Sequence, residues 1–183
     1  MSDKYNEVLA NLTADDQIYA FEEVTHSSGI TYREFKNTPK TLANFFEFGL
    51  LFPEWEFIVF NDERYSFQDI YKKAAQTANA LKGAGIKKGD RVAICMANNP
   101  EYIISFMALT SMGAVCVLLN SWWVPDEVSY GLENSGATLL FGDEKRLVGL
   151  EKFTELKKIV VRPINQSNEY EDFNSFINNQ PDT

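Results

Sequence analysis

The chain has 183 residues, of which 45% are hydrophobic and 23% are charged, and its formal net charge at pH 7 is −9. This length and composition are typical of a globular domain that buries a core without disulfides or metals. The acidic balance, without a basic patch, argues against a nucleic-acid partner. No run of 18 or more apolar residues is present, so the sequence predicts no transmembrane segment.

The cysteines and the N-terminus indicate a reducing compartment. Cys95 and Cys116 each lie inside an apolar run, and the polar N-terminus lacks the pattern of a signal peptide. We interpret both cysteines as buried thiols, with a disulfide as the alternative, and we expect a cytoplasmic location. The single histidine, His26, has no cysteine cluster near it, so no zinc site is predicted.

Residues 1–56 are mixed in character, and we predict that they form an arm packed on the body of the protein. Short strands or docking positions are indicated by the spacing of five apolar residues: Phe21, Val24, Ile30, Tyr32 and Phe35. A short helix is predicted at 41–48, with Thr41 as its N-cap and Gly49 as its stop.

Residues 57–163 are predicted to form an α/β body that opens with a β-hairpin. Strands at 57–60 and 64–67 are expected to pair across a turn. Ser66 then has the position of an N-cap, with Asp69 three residues later as in a capping box. The pattern predicts that a helix begins at this point.

Strands and helices alternate through the rest of the body. Apolar, β-branched runs predict strands at 91–96, 114–119, 138–141 and 159–162. Helices are predicted at 66–85, 100–112, 125–134 and 145–156. Such alternation implies βαβ units with right-handed crossovers, and hence an α/β fold with a mainly parallel sheet flanked by helices. Both faces of the strand at 114–119 are expected to be buried, because it shows no polar alternation.

Ligands of open parallel sheets bind beyond the carboxyl ends of the strands. Asn98 and Asn120 are the polar residues best placed to face that crevice, and capping of a helix or turn is the alternative role for both. Trp122 and Trp123 are adjacent, so their side chains point apart and at most one is expected in the core. The other is predicted to line a pocket or an interface, unless both pack around the loop.

The residues show no catalytic constellation. Gly83, Gly85 and Gly89 nearly match a dinucleotide fingerprint, but they follow a helix and precede a strand, which is the wrong order. The chain has no G-x-x-x-x-G-K-[ST] phosphate loop and no G-x-S-x-G nucleophile motif. The residues alone therefore predict an α/β domain without a visible catalytic site or metal site.

Short pieces between Tyr65 and Leu147 together resemble the opening segment of the adenylate-forming (AMP-binding) enzymes. In order, they are Tyr65-Ser66-Phe67, Lys88-Gly89-Asp90-Arg91-Val92-Ala93, Asn99-Pro100-Glu101, Gly113-Ala114-Val115, Leu119-Asn120 and Ser135-Gly136-Ala137. The turn Asn120-Ser121-Trp122-Trp123 is similar to that of a subgroup, the fatty-acid-type acyl-CoA ligases. The resemblance covers most of the chain to about Arg162 and implies the N-terminal subdomain of the adenylate-forming fold.

The resemblance implies a two-step reaction in the full-length enzyme. A carboxylic acid, of the fatty-acid type, attacks the α-phosphate of ATP and gives an acyl-adenylate and pyrophosphate. The thiol of coenzyme A then displaces AMP, while Mg²⁺ helps to neutralise the phosphates. The family's phosphate-binding loop and its adenine-binding, ribose-binding and catalytic-lysine segments do not occur in these 183 residues. No catalytic residue is therefore carried onto this chain, and we expect it to bind no cofactor and to be inactive alone.

Two expectations concern the ends of this segment. Residues 164–183 are rich in Asn, Gln and Ser and predict a linker, partly disordered, that leads to a missing remainder. Without that remainder, apolar surface is expected to be exposed and to drive self-association. A stand-alone binding or regulatory module and an unrelated flavodoxin-like domain remain open as alternatives.

Overall fold

The computed structural model describes residues 3–165 and 170–183 and divides the chain after Lys40. Before that division, helix α1 (Asp3–Leu12) precedes an antiparallel hairpin of β1 (Phe21–Thr25) and β2 (Thr31–Phe35). Phe21 is paired with Phe35 across the hairpin, so the apolar spacing seen in the sequence marks two strands. The packing of an arm on the body stays a prediction.

The second unit begins earlier than the predicted boundary at residue 56, because helix α2 (Leu42–Glu47) already packs within it. Phe46 lies edge-on to Phe106, with 6.4 Å between the ring centroids. The predicted N-cap is confirmed, since the Thr41 hydroxyl accepts a hydrogen bond from the backbone N–H of Asn44 at 3.1 Å. A 3₁₀ turn, Phe48–Leu51, follows directly.

A hairpin and a long helix come next, as predicted. Strands β3 (Glu56–Phe60) and β4 (Glu63–Ser66) pair antiparallel. Helix α3 (Phe67–Gly83) begins at a capping box in which the Ser66 hydroxyl accepts from the Asp69 N–H and the Asp69 carboxylate accepts from the Ser66 N–H. Two of the backbone donors at the start of α3 are therefore satisfied.

Within the described residues, five parallel strands form the central sheet, in the order β6-β5-β7-β8-β9. The strands are β5 (Arg91–Cys95), β6 (Val115–Leu118), β7 (Leu139–Asp143), β8 (Lys157–Val161) and β9 (Glu171–Asp172). The connecting helices are α4 (Pro100–Ser111), α5 (Pro125–Ser135), α6 (Glu144–Leu147) and α7 (Phe173–Ile177). This architecture confirms the predicted α/β fold with a parallel sheet flanked by helices.

The core lies on both faces of this sheet. One face packs against α3, α4 and α7 around Ile94, Leu139 and Phe141, and the other packs against α5 and α6 around Ala93, Leu140 and Leu147. Since α4 and α5 lie on opposite faces, the chain can run from β5 to β6 and back past β5 to β7 by right-handed crossovers. None of the described helices is long and apolar enough to cross a membrane.

The helix predicted at 145–156 is wrong in length, because α6 ends at Leu147. Val148 returns to an extended conformation, and Gly149 has a φ of 84°. The backbone at Gly149 comes so close to Pro125 that an added Cβ would lie 2.7 Å from the proline Cβ. This close approach needs glycine, and it turns the chain before a second helical turn can form.

The expectation that both faces of 114–119 are buried is also wrong. Strand β6 is an edge strand, and its end residues, Val115 and Leu118, are 48% and 50% exposed. Its apolar sequence does not distinguish an edge strand from a central one, because burial depends on which strands lie beside it. Strand β6 therefore exposes apolar side chains at the edge of the sheet.

The predicted linker over 164–183 is wrong for the part of that tail from residue 170 onward. There β9 adds a fifth parallel strand, and α7 places Phe173, Phe176 and Ile177 in the core. The Asp172 carboxylate caps α7 by accepting from the Ser175 N–H at 3.0 Å. Positions 166–169 of that prediction lie outside the described residues.

Candidate functional site

The carboxyl edge of the sheet brings together the loops after β5, β6 and β7. The chain passes from β5 to β6 on one side and then to β7 on the other, so the topological switch point lies between β5 and β7. Open α/β sheets bind ligands in the crevice at this point. The loop at 97–99 and the end of β7 at Asp143 border it here.

An internal ion pair occupies this crevice. The Asp143 carboxylate accepts a hydrogen bond from the Ala97 N–H at 2.8 Å and pairs with Nη1 of Arg146 at 3.0 Å. Nε of Arg146 donates to the Ser121 carbonyl at 3.0 Å. The side chains of Asp143 and Arg146 are only 15% and 18% exposed, so this pair ties the three loops together from within.

Neither Asp143 nor Arg146 was predicted from the sequence as a site residue. The signal that could have found the pair is an acidic residue and a basic residue three positions apart, directly after a buried strand. That spacing alone does not show that Asp143 also holds the loop after β5, which is 46 positions away.

The two asparagines have different surroundings in the structure. Asn120 is exposed, and its side-chain oxygen accepts from the Trp122 N–H at 2.9 Å, while its carbonyl accepts from the Trp123 N–H at 3.1 Å. Asn120 therefore stabilises its own turn, which is the alternative role considered for it. Asn98 lies exposed at a bend after β5. The role of both residues in facing a substrate stays a prediction.

Trp122 and Trp123 diverge as adjacent side chains should. Trp122 is 87% exposed, whereas Trp123 is 37% exposed and packs against Gly131 of α5, where an added Cβ would lie 3.1 Å from its ring. Both line a shallow pocket of about 160 Å³ together with Ser121, Pro125 and Arg146. A contribution of this pocket to a substrate site or an interface stays a prediction.

Neither thiol is prepared for nucleophilic chemistry. Both cysteines are free, and Cys95 is fully buried while Cys116 is half-buried. Burial raises the pKa of Cys95 to about 11, with a smaller contribution from the Asp143 charge, and burial raises the pKa of Cys116 to about 12. Because the thiolate is the reactive form, both groups are inert at neutral pH.

The model of a known protein family, the AMP-binding enzymes, matches residues 45–181. This chain belongs to the AMP-binding enzyme family. The match includes the whole sheet and the loops at its carboxyl edge, and it confirms the resemblance seen in the sequence. An unrelated flavodoxin-like domain is therefore no longer an alternative.

Curated relatives are CoA ligases, and the chain matches a small part of each. An acyl-CoA ligase, sidI, of Aspergillus fumigatus is 35% identical over 94 residues, which make up 50% of this chain and 16% of that protein. A crotonobetaine/carnitine–CoA ligase of Escherichia coli O1:K1 is 38% identical over 77 residues, or 42% of this chain and 15% of that protein.

Solved structures agree on the fold. An anthranilate CoA ligase, AuaEII, in complex with anthranoyl-AMP superposes with a TM-score of 0.74 and 26% identity, over 80% of this chain and 30% of that one. Coronafacic acid ligase from Pectobacterium brasiliense gives a TM-score of 0.69 and 28% identity, over 78% and 30%. The fold of this chain is thus a part of the AMP-binding enzyme fold.

The described residues offer no cluster of metal ligands that fits Mg²⁺. Within residues 3–165 and 170–183, no group of three or more His, Cys, Asp or Glu side chains is arranged to hold a metal ion. At the switch point, the Asp143 carboxylate is already neutralised by Arg146 and bonded to the Ala97 N–H. No reaction step is therefore assigned to the residues of this chain.

Proposed function

We propose that this chain is part of an ATP-dependent acyl-CoA synthetase, an acid–thiol ligase that joins a carboxylic acid to coenzyme A with release of AMP. The observation that carries the proposal is the AMP-binding family match over residues 45–181, since the relatives named above are CoA ligases. A fatty acid is the proposed substrate class, on the basis of the turn at residues 120–123. The full-length enzyme would use ATP, Mg²⁺ and coenzyme A in the cytoplasm.

In this proposal the chain supplies a frame, not the reacting groups. The parallel sheet and its closed Asp143–Arg146 crevice hold the loops at the carboxyl edge in fixed positions. Asn98, Trp122 and the pocket beside Arg146 remain free to contact a substrate or a neighbouring segment. Positioned donors that stabilise charge on a reacting phosphate must come from residues outside this sequence.

A stand-alone binding or regulatory module is the second candidate. It is favoured by the C-terminal residues, because α7 closes one face of the core with Phe173, Phe176 and Ile177. The exposed residues of the edge strand β6, Val115 and Leu118, favour the first candidate instead, since a further part of the protein would cover them.

ATP–pyrophosphate exchange separates these proposals. We expect the purified 183-residue chain to show no exchange with fatty or aromatic acids, because it lacks a phosphate loop. The product of the complete reading frame that contains it is expected to show acid-dependent exchange and to form a CoA thioester. Exchange by the 183-residue chain itself would refute the assigned role as a frame. A reading frame that ends at Thr183, without exchange, would favour the module.

A further inference from the structure

Arg162 has an unusual backbone conformation directly after β8. Its φ is 50°, in the left-handed region that side chains other than glycine rarely adopt. The sequence predicted that Arg162 would continue the strand, but β8 ends at Val161. A strained residue of this kind persists only where the surroundings hold it in place.

The side chain of Arg162 is held by two carboxylates from distant parts of the chain. Its Nη1 and Nη2 donate to the two oxygens of Glu63 at 2.6 and 2.8 Å, and its Nε donates to both oxygens of Glu101 at 3.0 and 2.9 Å. The guanidinium also lies 4.8 Å from the ring centroid of Phe60. Arg162 thus joins the β3–β4 hairpin and the first turn of α4 to the end of β8.

The carboxylates of Glu63 and Glu101 both rely on Arg162 to neutralise their charge. The Glu101 side chain is 11% exposed, so losing the cation would leave a nearly buried charge without its partner. Glu63 also accepts a hydrogen bond from the Tyr65 hydroxyl, in the same hairpin. The planar fork of arginine satisfies both carboxylates at once, which a lysine could not do with the same geometry.

The left-handed turn at Arg162 marks the point where the chain leaves β8. Two residues later, the Ile164 N–H donates to the Glu144 carboxylate at 2.7 Å. In the described residues from 170 onward, Glu171 and Asp172 pair in parallel with Ile159 and Val160 of β8. The turn with φ > 0 at Arg162 thus lies in sequence between β8 and the segment that forms β9 and α7.

We infer that Arg162 is a latch that couples the β3–β4 hairpin to the docking of β9 and α7. Its side chain anchors the hairpin, and that anchorage maintains the left-handed turn that directs the C-terminal segment. The hairpin and α7 should therefore open together in the native state. This inference concerns the folded chain and does not depend on the proposed ligase activity.

Native-state hydrogen exchange of the 183-residue chain, measured for each peptide after digestion, tests the latch. Two substitutions of Arg162 are compared with the wild type. Arg162→Gln removes the ion pairs and leaves a non-glycine residue in the strained turn, so amides in both the hairpin and α7 should exchange roughly tenfold or more faster. Arg162→Gly also removes the ion pairs but tolerates a positive φ. It should speed exchange in the hairpin to the same degree and leave α7 closer to the wild-type rate.

Milder variants and a matched control complete the test. Glu63→Gln, which removes one anchor, should speed exchange in the hairpin and, to a smaller degree, in α7. Arg64→Gln removes an exposed arginine of the same hairpin that pairs with Glu56 at 3.3 Å, and it should leave α7 unchanged. The proposal is overturned if Arg162→Gln opens the hairpin without affecting α7, if the hairpin keeps its protection, or if Arg162→Gly destabilises α7 as much as Arg162→Gln.

Discussion

Truncating Phe173 tests whether the C-terminal helix is part of the cooperative core. Phe173 is 2% exposed, and its ring lies edge-on to Phe141 with 5.8 Å between the centroids. A phenylalanine that buries roughly 150–200 Å² contributes about 4–5 kcal/mol at ~25 cal/mol per Å². Core Phe→Ala substitutions cost about 3–5 kcal/mol. We therefore expect Phe173→Ala to lower the free energy of unfolding by about 3–4 kcal/mol.

Urea denaturation followed by circular dichroism measures this loss, with Ile164→Ala as the matched control. Ile164 lies in the same C-terminal segment but is 88% exposed, so its truncation should change stability by less than about 0.5 kcal/mol. Because domains are stable by only about 5–15 kcal/mol, the Phe173 loss should shift the midpoint clearly. The slope of the transition should not change if α7 unfolds together with the rest.

Two results would contradict this reasoning. If Phe173→Ala costs less than about 1 kcal/mol, like the control, α7 does not contribute to the core and the tail behaves as the linker expected from its composition. If the cost is large but the slope of the transition falls, α7 undocks as a local unit before the core unfolds. Asp172→Ala, which removes only the helix cap, should cost about 1 kcal/mol in the cooperative case.

Three further predictions concern charge, thiols and association. The hydrogen bonds from Arg162, and then that from the Tyr65 hydroxyl, lower the pKa of Glu63 from 4.5 to about 2. The ionised Glu63 carboxylate therefore stabilises the folded state above pH 4.5, and this stabilisation is lost as the pH falls towards 2. The difference in the free energy of unfolding between wild type and Glu63→Gln should be smaller at pH 3 than at pH 7. A thiol-specific reagent at pH 8 should label neither cysteine in the native protein and both in urea. Self-association, measured by light scattering at physiological salt, should weaken in Leu118→Lys at the edge strand and persist in Val148→Lys. A monomeric wild type would show that the exposed edge strand drives no association.

Patterns between residues that are close in sequence predicted most of the elements. The apolar runs identified four strands of the sheet within two residues at each end, and the Ser66–Asp69 spacing located the start of α3. Their regular alternation with helices predicted a parallel sheet, and short pieces from Tyr65 onward identified the family. These features depend on local preference and on hydrophobic periodicity, which residues a few positions apart determine.

The candidate site was predictable only as a location. The rule for parallel sheets pointed to the carboxyl ends of the strands, and Asn98, Asn120 and the two tryptophans do lie in the loops there. The pair that fills the switch point, Asp143 with Arg146, was not predicted. Its role depends on the Ala97 N–H, and no pattern in the sequence shows that these two loops meet.

Tertiary packing decided the remaining features. The apolar composition of β6 did not reveal that it lies at an edge, and the polar composition of the tail did not reveal that three of its apolar side chains reach the core. Gly149 ends α6 because Pro125 lies against it, and Arg162 turns left-handed between carboxylates that lie 61 and 99 positions away. Each outcome depends on a neighbour distant in sequence, because burial and charge pairing are properties of the space around a residue, which local preference does not encode.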